Sequence, residues 1–501
     1  MWLITLTIAL PLFGAAALAF IDTDETTTRI IGLVATVGAF LTSVALAFRF
    51  DVADAGFQLS EQAAWIPQLG ASYHVSLDGV GLVLVLLTTL LTPLILLASW
   101  GSVTDRLKGY VGAFLVLEAA VIGVFVAQDL LLFYVFFELT LVPMYLIIGI
   151  WGGAARKAAA VKFFLYTFLG GLLMLVAILY LWGQAGGSFA YADILQLGLD
   201  PSTQAWLFGA FLVAFAVKTP LFPVHTWLPD AHTEAPTGGS VFLAGVLLKM
   251  GTFGLLRYAL PLFPDATIRF APALLAVSVV GILYGAMVAL VQTDIKKLIA
   301  YSSVSHMGFV VLGTFALNTT ATSASVVQMI NHGLSTGALF LLIGFLYERR
   351  HTRAIADFGG LAKQVPIMAG LWLLVSMSSL ALPGLNGFVG EFPILLGTFQ
   401  EARWAAVLAA FGVVLAALYL LWAYQRMFHG PLETEANRTT TDLRTREISV
   451  LAPLLVLIVA IGLYPKPLFD VVTPSVDRIL AEVGVGDDVV PAGTQMPEGT
   501  P

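Results

Sequence analysis

The sequence predicts an all-α integral membrane protein with about fourteen transmembrane helices, and three observations support that fold class. Of its 501 residues, 59% are hydrophobic and only 11% are charged, and the mean hydropathy is +0.92. A soluble protein carries about 25% charged residues, so this composition excludes a soluble fold of this size. The apolar residues fall into separate runs of about 20, the length that a helix needs to cross a bilayer. Lysines and arginines concentrate in the loops between those runs.

Fourteen candidate helices lie between charged or Pro/Gly-rich breaks, and we expect one polytopic membrane domain over residues 1–501. Their predicted bounds are 2–20, 30–48, 78–100, 111–127, 130–150, 161–183, 206–223, 240–260, 270–291, 299–317, 325–346, 367–398, 404–425 and 448–464. The acidic stretch after Lys466 predicts a loosely ordered tail over 465–501 on the outer side.

Loop charges predict the orientation of the bundle. If both termini face outward, most loop lysines and arginines, Lys296 and Arg353 among them, face inward, whereas Arg257 falls on the outer side. That asymmetry satisfies the positive-inside rule. The first run lacks the basic region of a signal peptide, and no transit pattern precedes it. We therefore expect a multi-pass protein of a bacterial plasma membrane with a retained first span.

The composition also excludes several classes of function. The chain contains no cysteine, which excludes disulfides, thiolate chemistry and cysteine-ligated iron–sulfur clusters within it. The net charge of −7 is spread thinly, and no basic run suggests nucleic acid.

Five ionisable residues lie well inside apolar runs. They are Glu118, Glu138, Lys218, Lys249 and Glu391. A charged residue at the centre of a transmembrane helix costs about 2.5–3.5 kcal/mol on insertion scales, and such residues commonly mark ion or proton paths. The alternative is a set of structural ion pairs that hold helices together.

The chemistry of a lysine–carboxylate pair favours proton movement. Desolvation weakens the hold of a lysine on its proton, and a nearby carboxylate strengthens it again. Two charges 4 Å apart interact by about 4 kcal/mol at an effective dielectric constant of 20, whereas moving one proton through 100 mV takes about 2.3 kcal/mol. One rearranging pair is therefore strong enough to move one proton against a membrane potential.

Helix-breaking residues accompany two of these charges. In the seventh run, 206–223, Lys218 is followed by Pro220 and Pro223; in the twelfth run, 367–398, Pro383 and Gly384 precede Glu391. Proline removes a helical hydrogen bond, and the freed carbonyl is tolerated within a membrane only where it is buried in protein or faces a cavity. Paired interrupted helices are typical of transporters built from inverted repeats.

Four histidines are candidates for secondary roles. His225 and His232 flank the polar connector after the seventh run, and their spacing matches no recognised metal site, so we predict no bound metal. Histidine titrates near neutrality, which favours proton uptake at His225. His306 and His332 lie inside the tenth and eleventh runs and are placed to bridge Lys249 and Glu391. The alternative is that they are hydrogen-bonded core histidines.

Four segments carry a resemblance to a known family. They are QDLLLFYVFFELTLVPMY (128–145), LPDAHTEAPTGGSVFLAGVLLKMG (228–251), IAYSSVSHMGFV (299–310) and INHGLSTGALFLLIGFLYERRHTR (330–353). These segments closely resemble the proton-translocating antiporter-like subunits of respiratory complex I. The resemblance implies fourteen core helices, two inverted five-helix repeats (111–260 and 270–425) and broken helices at the seventh and twelfth spans.

The resemblance also implies roles for particular residues. Glu138 is expected to pair with Lys218, Lys249 to act as the central relay, and Glu391 to be the terminal residue towards the outside, with Glu118 as a further acidic position. In sister branches of the family the position of Glu391 is typically lysine, so the glutamate favours the subunit M branch.

The family implies that this is a non-redox subunit of a proton-translocating NADH:quinone oxidoreductase. NADH, flavin, iron–sulfur clusters and quinone would then bind to other subunits, and the neighbours would be two sister antiporter-like subunits and lipid. Two rival functions stay open at this point. One is a subunit of a multi-subunit Na⁺/H⁺ antiporter, or of a related hydrogenase or F420H₂ complex, and the other is a membrane scaffold that conducts no protons.

Overall fold

The computed structural model of the protein describes residues 2–485, and most of them are helical. The first nine helices are α1 (Leu3–Phe20), α2 (Glu25–Arg49), α3 (Gly79–Ala98), α4 (Leu107–Val126), α5 (Leu130–Leu139), α6 (Leu141–Trp151), α7 (Arg156–Gln184), α8 (Tyr191–Leu195) and α9 (Pro201–Lys218). Between α2 and α3 lie two strands, β1 (Gln58–Ile66) and β2 (Ala71–Leu77).

The chain continues through thirteen further helical segments. They are α10 (Trp227–Glu234), α11 (Thr237–Phe242), α12 (Leu248–Gly254), α13 (Leu260–Leu262), α14 (Pro264–Leu290), α15 (Ile295–Phe315), α16 (Thr319–Arg350), α17 (Pro366–Ser379), α18 (Asn386–Glu401), α19 (Arg403–Phe428), α20 (Glu435–Arg438), α21 (Thr445–Leu463) and α22 (Lys466–Val483). Two π-helical turns, Leu243–Leu247 and Leu255–Ala259, join α11, α12 and α13 into one rod.

Acidic and amide side chains fix the start of several long helices. Each of them accepts hydrogen bonds from backbone N–H groups of the first turn, which have no partner within the helix. The capping residues are Asp24, Asp78, Asp129, Asp200, Asp294 and Asn318. These residues lie at the edges of the apolar runs, so the same side chains end one loop and begin the next span.

Twelve helices in the described part of the chain are long and apolar enough to cross a membrane. The two predicted runs that do not qualify are 206–223 and 367–398. The first corresponds to α9, which has polar residues at its start and Lys218 at its end. The second is divided between α17 and α18, because helical structure stops near Pro383 and Gly384.

A two-stranded antiparallel hairpin corrects the expectation of an all-helical chain. Strand β1 pairs with β2, with irregularities in register at two points. The hairpin ties distant elements together: the Glu61 side chain accepts hydrogen bonds from the backbone N–H groups of Ile4 and Thr5, and the backbone N–H of Ser72 donates to the Asp129 side chain. Alternation over Ala71–Leu77 is the sequence signal that would have indicated a strand.

The C-terminal region also differs from its prediction. Residues expected to form a loose tail form helix α22, which packs against α3 and α16. Its buried face consists of Val472, Val476, Ile479, Leu480 and Val483. That spacing is helical, with one apolar stripe, and it was overlooked because the stretch is acidic. Asp487, Asp488 and Glu498 of the predicted tail lie outside the described residues.

The most deeply buried elements form the centre of the bundle. The rod formed by α11–α13 is entirely buried, as is nearly all of α15 and the apolar window of α16. Peripheral helices such as α2, α7 and α19 expose many large apolar side chains, as expected for surfaces against lipid. Polar side chains on the central helices are therefore held away from both lipid and bulk water.

Candidate functional site

Lys249 occupies the middle of the buried rod. It lies on α12, between the two π-helical turns, and its side chain is fully buried. Its Nζ donates to the carbonyl oxygen of Ala244 in the first π turn, and it lies 2.7 Å from Nδ1 of His332 on α16. π-Helical turns are uncommon and often occur at functional sites. In this rod one π-helical turn precedes its single lysine, Lys249, and the other follows it.

His332, His306 and Glu391 continue from Lys249 across three helices. The ring centroids of His332 and His306 are 5.9 Å apart, and His306 Nδ1 lies 2.7 Å from the Oε1 atom of Glu391 on α18. Gln328 donates to the same carboxylate oxygen at 2.9 Å. All of these side chains are buried. The structure therefore brings together Lys249, His332, His306 and Glu391 in that order, with both histidines between the lysine and the glutamate.

Neutral polar side chains surround this series on the side of α16 and α18. Asn331 donates to the carbonyl oxygen of Asn386 at 2.7 Å, and the hydroxyls of Ser335 and Ser378 are 2.7 Å apart. Together with both histidines and Gln328 they line a small cavity. Sequence reasoning missed these residues. Gln328, Asn331 and Ser335 share one helical face with His332, and that polar stripe within an apolar run was the available signal.

Lys218 and Glu138 do not form the direct pair that the sequence predicted. Nζ of Lys218 donates to the hydroxyl of Thr140 at 3.2 Å and lies 5.0 Å from the ring centroid of Phe137. No ion pair with Glu138 occurs among the described contacts of Lys218. The Glu138 carboxylate instead lies against Gly171 of α7, where its Oε1 has no hydrogen-bond partner within residues 2–485.

Among the described residues, the remaining sequence candidates make no side-chain hydrogen bond to the central series. Glu118 on α4 is fully buried, and its carboxylate oxygens have no hydrogen-bond partner among the described residues. The ring of His232 stacks on Phe340 at 4.7 Å, and the ring of His225 lies 5.1 Å from that of Tyr284. Neither imidazole makes a hydrogen bond in the described part of the chain.

Two basic residues that the sequence placed in loops are buried. Arg257 on the rod forms an ion pair with Asp78, which also pairs with Arg478 of α22 at 2.8 Å. Lys296, in the first turn of α15, donates to the carbonyl oxygen of Ala235 at 2.5 Å. Both positions correct the loop assignment. Arg257 lies near the end of the run 240–260, and Lys296 lies between the runs 270–291 and 299–317, so both were counted as loop charges.

The central series consists of groups that exchange protons. Lysine, histidine and glutamate side chains each bind and release a proton. Two such side chains 2.7 Å apart share a hydrogen bond along which a proton can pass. Among residues 2–485, no group of three or more His, Asp or Glu side chains is arranged to hold a metal ion. Because the four side chains are buried, any proton that passes between them is protected from bulk water.

The family model "NADH:quinone oxidoreductase/Mrp antiporter, TM" matches residues 127–418. NADH-quinone oxidoreductase subunit M of Rhodobacter capsulatus is 47% identical over 488 residues, covering 94% of this chain and 95% of that protein. NADH-ubiquinone oxidoreductase chain 4 of Arabidopsis thaliana is 43% identical over 472 residues, covering 94% of this chain and 95% of that one.

Solved structures agree with these sequence relatives. A chain of respiratory complex I from Thermus thermophilus superposes with a TM-score of 0.88 at 33% identity, covering 96% of this chain and all of that chain. A chain of the Mrp complex from Dietzia superposes with a TM-score of 0.85 at 22% identity, covering 96% and 98%, and this second likeness concerns the fold alone. The chain therefore belongs to the NADH:quinone oxidoreductase/Mrp antiporter family of membrane subunits, in the subunit M branch that Glu391 predicted.

Proposed function

We propose that the chain is a membrane subunit of a proton-translocating NADH:quinone oxidoreductase. It provides a transmembrane proton path that is coupled to quinone reduction in other subunits. The observation that carries this proposal is the buried series Lys249, His332, His306 and Glu391, with contacts of 2.7 Å at both of its ends. Ionisable groups are costly within a membrane, and those that occur there commonly mark ion or proton paths. The relatives in the subunit M branch, rather than in an antiporter complex, favour this assembly.

Each ionisable residue has a role in this proposal. Lys249 is the central relay, His332 and His306 carry the proton onward, and Glu391 releases it towards the outside. Lys218 and Glu138 form a second unit that loads the relay by making and breaking an ion pair. Glu118, which lies buried on α4, and His225, near the end of α9, are secondary members of the path.

The architecture supports a symmetrical path. We propose fourteen spans, in which α9 and α10 form a broken seventh span and α17 and α18 form a broken twelfth. The two interruptions then occupy equivalent positions in inverted repeats over 111–260 and 270–425. Support comes from the helix ends: α9 stops at Lys218, and α18 begins five residues before Glu391.

The proposal assigns redox chemistry to partner subunits. Flavin, iron–sulfur clusters, NADH and quinone bind elsewhere in the assembly, and the chain's direct neighbours are two sister antiporter-like subunits and lipid. The assembly lies in a bacterial plasma membrane with both termini of this chain on the outer side. Loop charges support that orientation through the positive-inside rule.

Purification of the native assembly tests the choice between complex I and an antiporter. Affinity capture of this chain from membranes in mild detergent is expected to recover bound flavin, iron–sulfur absorbance and NADH-dependent quinone reduction. Recovery of an assembly without flavin and clusters, with Na⁺-dependent proton exchange instead, would contradict the proposal.

Substitution of Lys218 separates a proton path from a passive scaffold. Lys218→Met removes the ammonium but keeps the length of the side chain, so the assembly is expected to form while proton translocation falls. The control is Lys157→Met, because Lys157 is exposed. Full proton pumping by the assembled Lys218→Met variant would favour the scaffold.

A further inference from the structure

Thr140 is the direct hydrogen-bond partner of Lys218. It lies between α5 and α6 and is fully buried. Its hydroxyl donates to the carbonyl oxygen of Phe137 at 2.8 Å and accepts from Nζ of Lys218 at 3.2 Å. A hydroxyl has one proton to donate. Because that proton is engaged with Phe137, the hydroxyl presents only its lone pairs to Lys218.

Two aromatic rings complete the surroundings of the Lys218 ammonium. Nζ lies 5.0 Å from the ring centroid of Phe137 and 5.9 Å from that of Phe163. A cation over an aromatic face is attracted by the ring, most strongly where water is excluded. The buried lysine therefore has favourable contacts for a positive charge without a carboxylate next to it.

Glu138 makes no hydrogen bond or ion pair with Lys218 among the described contacts. Residues two apart on a helix point in directions about 200° apart, since there are 3.6 residues per turn, whereas Phe137 and Thr140 are three apart and share a face. In keeping with this geometry, the Glu138 carboxylate lies against Gly171 of α7. The helix formed by α5 and α6 thus offers Lys218 two different partners, Thr140 on one side and Glu138 on another.

We infer that Thr140 is a positioning residue that holds the Lys218 ammonium, together with the Phe137 ring, apart from Glu138. The inference deepens the proposed function and rests on it. In one position Lys218 is paired with Glu138; in the other, the one in this structure, the ammonium is hydrogen-bonded to Thr140 and forms no ion pair with the carboxylate. In the Thr140 position the ion pair between Lys218 and Glu138 is broken, and Lys218 keeps its proton.

The test compares two substitutions of Thr140 in the intact assembly. Thr140→Val keeps the shape of the side chain but removes the acceptor, whereas Thr140→Ser keeps the acceptor. Loss of a hydrogen bond to a charged group shifts occupancy by about tenfold or more. We expect Thr140→Val to lower the protons pumped per NADH and to shift the pH profile of pumping, and Thr140→Ser to restore both. A cryo-EM map of Thr140→Val should show Lys218 next to Glu138.

The control is Thr36→Val, because Thr36 is equally buried on α2 but bonds only its own helix backbone. Unchanged pumping and an unchanged pH profile in Thr140→Val would overturn the inference, and so would equal defects in Thr140→Ser and Thr140→Val. If Lys218→Met abolishes pumping while Thr140→Val does not, only the role of Thr140 is wrong. If neither substitution affects pumping, the proposed function is wrong as well.

Discussion

Nδ1 of His332 lies 2.7 Å from Nζ of Lys249, and both side chains are buried. One nitrogen donates the hydrogen of this bond and the other accepts it. A proton can therefore pass between the two side chains along this hydrogen bond. The contact also joins α12 to α16, as does the hydrogen bond from the Thr252 hydroxyl to the sulfur of Met329. It connects the central lysine to the pair formed by His306 and Glu391.

Replacement of His332 is expected to interrupt the series. His332→Leu leaves Nζ of Lys249 with the Ala244 carbonyl alone and removes the group next to His306. We expect NADH-driven proton pumping in membrane vesicles to fall about a hundredfold or more, because loss of a general acid–base group typically costs about 10²–10⁴-fold in rate. His429→Leu is the matched control, since His429 is exposed. Equal pumping by both variants would contradict a role for His332.

Glu391→Gln tests charge separately from hydrogen bonding. Glutamine retains groups that can bond His306 and Gln328, so the assembly should form with nearly normal stability. It cannot bind or release a proton, so pumping measured with a pH-sensitive dye should fall strongly. Glu401→Gln provides the comparison, because Glu401 lies at the exposed end of the same helix. If Glu391→Gln pumps at the rate of Glu401→Gln, the terminal role of Glu391 is wrong.

Gly171 provides a test of the Glu138 position. A Cβ there would overlap Oε1 of Glu138, so Gly171→Ala must displace the carboxylate. We expect proton pumping and its coupling to quinone reduction to decrease. Gly183→Ala on the same helix meets no atom within 4 Å and should behave as the wild type. Normal pumping by Gly171→Ala would show that the position of Glu138 is not critical.

The C-terminal helix is expected to depend on Arg478. This residue pairs with buried Asp78 at 2.8 Å and donates to the Ala55 carbonyl at 2.7 Å. Breaking a buried pair costs about 3–5 kcal/mol; we expect about 2 kcal/mol for Arg478→Met, because Arg257 still pairs with Asp78. The measurements are the thermal midpoint of the assembly and protease cleavage of α22. Arg438→Met, at an exposed residue, should change neither, and an equal effect of both substitutions would contradict this anchoring role.

Sequence alone predicted most of the helical segments and the central series. A charge inside an apolar run is visible without a structure, which is why Lys249 and Glu391 were found and why the histidines between them could be proposed as a bridge. The breaks after Lys218 and before Glu391 were visible for a similar reason, since proline and glycine interrupt helices wherever they occur in such runs.

Other features depend on contacts that a single sequence does not encode locally. The pairing of β1 with β2 requires a register with two irregularities, and the acidity of α22 obscured its apolar stripe. The hydrogen bond of Lys218 to Thr140, in place of an ion pair with Glu138, depends on side-chain directions that only the folded structure gives. Arg257 was counted as a loop charge because its ion-pair partner, Asp78, is far away in sequence. Asp78 also pairs with Arg478, which lies in the region predicted as a tail.

The central claim is that protons cross through Lys249, and the proton stoichiometry of the Lys249→Met assembly tests it most directly. The purified assembly, reconstituted in liposomes, is compared with wild type and with Lys157→Met, whose lysine is exposed. We predict fewer protons pumped per NADH, or loss of coupled turnover, for Lys249→Met alone. An intact Lys249→Met assembly with the wild-type ratio and turnover would contradict the claim.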